Sequence, residues 1–82
     1  MKVLLISPFG YAIKQKSKEI KTILKKQKVA AFIDEVIAMP DDISKRLKGK
    51  QYDYCYADTE YNSDEIALIR EHIQGKQLIE RF

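Results

Sequence analysis

The sequence predicts a small α/β domain: a three-layer fold with a four-stranded parallel sheet of order 2-1-3-4 and helices on both faces. Three observations predict it. Short apolar runs alternate with longer amphipathic or capped segments along the whole chain. The first run, "KVLLI" at residues 2 to 6, is continuously apolar, as a strand buried on both faces requires. Each later run returns after a segment of helical length, and alternation of this kind implies parallel pairing through crossover helices. With 82 residues the chain is read as one domain, 1–82.

After the first strand, "SPFG" turns the chain and an amphipathic helix of about four turns follows. Its inner face is expected to carry Ile13, Ser17, Ile20, Leu24 and Gln27, with Ile23 beside them. "VAAFIDEVIA" (29–38) reads as a strand that starts buried and turns polar at Asp34 and Glu35. "MPDDISKRLKG" (39–49) reads as a second helix. Pro40 stands near its start, Asp41 and Asp42 complement the dipole there, basic residues fill its last turn, and Gly49 stops it.

"YDYCYAD" (52–58) is aromatic and alternating, a third strand. In "TEYNSDEIALIREHIQG" a third helix is expected, capped by Asn62 or Ser63. Ile66, Ile69 and Ile73 form its inner stripe and Gly75 ends it. "KQLIERF" (76–82) supplies the fourth strand. In that order strands two and four are edges. An edge strand without a cover invites pairing with another copy, so a homodimer through an edge strand is an expectation.

Charge is unevenly placed. Residues 14 to 28 hold seven lysines against one acid, Glu19, whereas residues 34 to 65 hold nine acids. The lysine run lacks the arginine or aromatic interleaving that base reading and stacking need, so nucleic-acid binding is the weaker alternative. No apolar run approaches the roughly 20 residues of a membrane span. "MKVLLIS" is too short for a secretion leader, and a cytoplasmic setting is expected. One cysteine and one histidine, Cys55 and His72, exclude an internal disulfide and Cys- or His-rich metal sites. No metal or cofactor is expected.

In open parallel sheets, ligands bind beyond the carboxyl ends of the strands, where strand order reverses. That points to the loop after the first strand. Its backbone N–H groups lead into a helix and can hold a phosphate. The candidate phosphate-binding loop is Pro8, Phe9, Gly10, Tyr11, Ala12 and Ile13, with Ser7 at its base. No dinucleotide fingerprint and no Walker loop is present, since Gly10 is the only glycine here. A receiver-type phosphoaspartate at Asp58 would need an acidic pair after strand one, where Ser7 and Pro8 stand instead. Asp58 is read as a turn or cap residue. Cys55 reads as a small buried hydrophobe, and His72 as a residue that complements the negative end of the third helix.

"SPFG", "YDYCYADTEYNSDEIALIREHI" and "KQLIERF" together resemble the enzyme IIB components of the bacterial phosphoenolpyruvate-dependent sugar phosphotransferase system, of the lactose/cellobiose type and its galactitol-type relatives. The resemblance covers nearly the whole chain in order of elements. It implies a four-stranded parallel sheet and a phosphate loop that opens helix one. In the family that loop starts with a phosphorylated cysteine, which receives its phosphoryl group from a IIA protein and passes it to the sugar. Ser7 stands at the position of that cysteine, the catalytic position, and Gly10 at the matching glycine. Tyr11, Ala12 and Ile13 replace the family's small hydroxyl residues, and the helix after strand four is absent from this sequence. The resemblance therefore implies a IIB-like regulatory or interaction domain without cysteine phosphotransfer, with IIA-like or other phosphotransferase-system proteins as partners. The alternative is an active phosphocarrier that uses Ser7 or another acceptor.

Overall fold

A computed structural model describes residues 1–76 and 79–82. The elements follow as β1 (Lys2–Ser7), α1 (Gly10–Lys26), β2 (Phe32–Ile37), α2 (Ile43–Leu47), β3 (Tyr54–Ala57), α3 (Ser63–Arg70) and β4 (Glu80–Arg81). The four strands form one parallel sheet of order β2-β1-β3-β4. This is the small α/β fold that the alternation of runs implies.

The two faces of β1 explain the layers. Leu4 and Ile6 join a cluster with Ile43 and Leu47 of α2, Ile66 and Ile69 of α3, and Cys55 and Ala57 of β3. Leu5 points the other way and packs with Ile13 and Ile20 of α1. The period-two alternation of a strand thus sends neighbouring residues to opposite layers, which is why "VLLI" must be apolar throughout. Val3 to Ile6 are all buried. Burying an Ile or Leu side chain contributes about 1.5–3 kcal/mol, so this strand anchors both layers.

α1 covers its face alone, burying Ile13, Ser17 and Ile20. Two residues expected on that face are elsewhere: Ile23 is exposed and Gln27 is the exposed C-cap. In the last turns Leu24 still packs against the inner cluster, whereas Ile23 and Gln27 face away from it. β2 also departs from expectation. Val29 and Phe32 are exposed, and the buried positions come late, at Val36 and Ala38. As an edge strand β2 is sheltered only where it passes under its neighbours.

The second helix begins with a 3-10 turn at Pro40–Asp42 before the five residues of α2, and Gly49 beyond it adopts φ +74°. α3 starts on a full capping box. Asn62 Oδ1 accepts from Glu65 N at 2.9 Å, and Glu65 Oε1 accepts from Asn62 N at 2.8 Å. It ends at Arg70, earlier than Gly75, which instead takes φ +74° in the turn that follows. Ile73 is buried outside the helix, and its bridge to Tyr52 extends the β3 edge. The strand expected over 76–82 is described at Glu80–Arg81; Gln77 and Leu78 lie outside the described residues. Among the described residues no helix is long and apolar enough to cross a membrane.

Candidate functional site at the carboxyl ends of the strands

The order β2-β1-β3-β4 places the reversal point between β1 and β3. The β1–β3 register pairs Ile6 with Ala57, and one step further Ser7 meets Asp58. Asp58 N–H donates to Ile6 O at 3.0 Å, which fixes that step. Both side chains fall on the same face, and Ser7 Oγ donates to Asp58 Oδ2 at 2.6 Å. Ser7 has no exposed surface and Asp58 is 6% exposed.

The pair is enclosed by a wider set of bonds. Phe9 N–H donates to Ser7 Oγ at 3.0 Å, a turn that closes the loop on its own base. Asp58 Oδ1 accepts from Glu60 N at 2.9 Å, so Asp58 is a turn residue as expected and a partner of Ser7 as well. Arg81 Nη2 donates to Asp58 O at 3.0 Å and to Tyr61 O at 2.6 Å. Tyr61 is buried, and its hydroxyl donates to Ala38 O at 2.6 Å, just past β2. Burial first, then the carboxylates of Asp58 and Glu65, hold this phenol well above its ordinary range. One network therefore ties together the ends of all four strands.

Apart from the Phe9 N–H, the loop residues sit outside this network. Phe9 precedes α1 in extended conformation and offers no side-chain cap. Ile13 N–H returns to Phe9 O at 3.2 Å, which leaves the N–H groups of Gly10, Tyr11 and Ala12 in the uncapped first turn. No acidic residue occupies that turn. Pro8 is half-buried, whereas the Phe9 and Tyr11 rings are exposed and stack with centroids 5.6 Å apart. Gly10 has no positive φ. Its role is spatial, because an added Cβ would come within 3.3 Å of Ile37 Cδ1. The loop thus turns the chain, and glycine lets α1 start tight against β2.

Chemically, a serine is a nucleophile when a base takes its proton and the electrophile can reach the oxygen. Here the neighbour is a carboxylate, and the oxygen is covered. The histidine is elsewhere: His72 Nδ1 donates to Lys50 O at 3.0 Å, and His72 O accepts from Tyr52 N at 2.8 Å. Both bonds lie at the amino end of β3, so the His72 ring fastens the α2–β3 connection, while its backbone N–H donates to Ile69 O at 3.0 Å at the end of α3. Cys55 is fully buried on the opposite face, and burial pushes its thiol up to about 12. Among the described residues no group of three or more His, Cys, Asp or Glu side chains could hold a metal ion.

The sequence singles out Ser7 and its loop but misses Asp58 as the partner of Ser7. The two are 51 positions apart, and only the β1–β3 register brings them together. No family model, curated protein or solved structure matches this chain.

Proposed function

We propose that the chain is a IIB-like domain without the phosphorylatable cysteine, acting as a regulatory or protein-interaction module linked to sugar phosphotransfer. The resemblance of its loop spacing and element order to the IIB components of the phosphotransferase system supports the link. The observation that carries the loss of transfer is the Ser7–Asp58 pair. A phosphoryl donor must approach the nucleophile in line, and Ser7 Oγ lies buried with one carboxylate oxygen 2.6 Å away. That carboxylate would also repel the incoming phosphate in a setting where screening is weak.

In this reading the domain works in the cytoplasm with IIA-like or other phosphotransferase-system proteins. Its uncapped α1 terminus still favours an anionic group on such a partner without taking it covalently. Self-association through the short β4 edge belongs to the same reading.

The test is intact mass after incubation with phosphoenolpyruvate, the general phosphotransferase proteins and a panel of IIA components, followed by a binding titration with each IIA. The expected result is no added phosphoryl group together with saturable binding of one IIA. A gain of one phosphoryl group that disappears in Ser7→Ala would establish the carrier reading instead.

A further inference from the structure

We infer that the open edge of β2 is a docking site for an extended, acidic segment of a partner protein, added to the sheet as a fifth strand. This rests on the reading of the chain as an interaction module, and not on phosphotransfer. Phe32 N–H donates to Met1 O at 2.8 Å and Ala38 N–H to Ser7 O at 3.0 Å, so even-numbered positions of β2 turn toward β1. The alternation of a strand then turns the N–H and C=O groups of Ile33, Glu35 and Ile37 outward, where no further strand lies among the described residues.

Side chains beside this edge are apolar and open. Phe32 is 62% and Ile37 52% exposed, far more than a covered strand would leave. Natural edges are usually blunted by charge, proline or a covering loop; here Asp34 and Glu35 break the row, and Asp34 is already held by the Tyr52 hydroxyl and Lys50. Lysines of α1 rim the two grooves between the helix and β2. Lys14 lies beside Tyr11, Glu35 and Ile37 in one, and Lys21 and Lys25 lie beside Leu24 and Phe32, with no acid, in the other. The groove under Lys21 and Lys25, an apolar floor with a basic rim, selects a guest that carries acids among apolar residues.

A second copy of the chain fits poorly. With Ile33, Glu35 and Ile37 turned outward, antiparallel pairing centred on the strand sets Glu35 opposite its own counterpart. It also brings two lysine-rimmed helices to the same face.

The experiment titrates uniformly 15N-labelled protein with a blocked hexapeptide alternating valine and glutamate, and with its valine–lysine counterpart. Saturable amide shifts centred on residues 33, 35 and 37 are expected with the acidic peptide alone, weakening as salt is added. Lys21→Glu with Lys25→Glu should weaken binding about tenfold or more. Glu35→Pro should abolish it while leaving the β1 ladder intact, because the lost N–H points outward. No saturable shift up to millimolar peptide, equal binding of the lysine peptide, or shifts centred elsewhere would overturn the inference. So would a dimer in sedimentation whose residue 33, 35 and 37 amides are protected from exchange. A IIA protein that binds without moving these amides would remove this site and leave the interaction-module reading standing. Peptide binding at β2 with no phosphotransferase partner would keep this site and remove only the link to sugar phosphotransfer.

Discussion

Ser7 and Asp58 share a hydrogen bond of 2.6 Å across the β1–β3 seam, and it closes the base of the loop that leads into α1. The same oxygen of Ser7 accepts from Phe9 N–H. Removing the hydroxyl therefore strands a buried carboxylate oxygen and a loop N–H at once. Ser7→Ala should fold but lose about 1–3 kcal/mol of stability. At about 4–8 °C per kcal/mol for a domain of this size, a thermal melt will show it. An unchanged melting temperature would mean the bond contributes nothing.

Ser7→Cys tests whether burial or atom type silences the loop. A thiol here would be desolvated and set beside a carboxylate, and both disfavour the thiolate. The variant should gain no phosphoryl group in the mass assay and should resist thiol reagents while folded. Rapid labelling of the new thiol would show that the site opens more readily than the Ser7–Asp58 bond implies.

Alkaline pH should weaken the fold. Burial pushes the Cys55 thiol from 9.0 up to about 12. The bond to Glu80, with burial second, pushes the Tyr54 phenol from 10.0 up to about 12. Tyr52, Tyr56 and Tyr61 move in the same direction, each chiefly through burial. The unfolded chain releases these protons at their ordinary values while the folded chain keeps them. Their contribution is whole below about pH 9 and is lost as pH rises through about 12. Urea denaturation from about pH 8 to about pH 11 should show the decline, and Cys55→Ala should flatten its early part.

The α3 cap separates two candidates that the sequence leaves equivalent. Asn62 makes the capping box and Ser63 is the first helical residue. Asn62→Ala should cost about 1 kcal/mol, whereas Ser63→Ala should stay within about 0.5 kcal/mol. Denaturation of the two variants side by side decides it.

Ser17 offers a gain. Its Oγ is buried in the α1 face and has no hydrogen-bond partner among the described residues. Ser17→Ala removes an unpaired hydroxyl and improves helix propensity, so stability should rise by about 1 kcal/mol. A fall on the same substitution would mean the hydroxyl is satisfied in solution.

The fold was legible because its signals are local. The continuous apolar run of β1, the period of α1 and the Asn62–Glu65 cap each sit within one stretch of chain. What escaped depends on tertiary position. Phe32 reads as core in sequence and is exposed because β2 is an edge. His72 reads as a helix-end residue, but the Tyr52–Ile73 bridge also carries its ring to Lys50 O. Asp58 reads as a turn residue, and only pairing β1 with β3 reveals it beside Ser7.

The sheet order also bears on how the chain is made. β1 leaves the ribosome before the other three strands, yet it sits between β2 and β3 and needs both. β1, α1 and β2 can close as one early unit around residue 37, with one side of β1 still unpaired. That side remains open until residues 54–57 emerge and β3 slots in beside it. Parallel, non-local pairing is slow to form, and an apolar strand with a bare edge is the part of a nascent chain most prone to stray association.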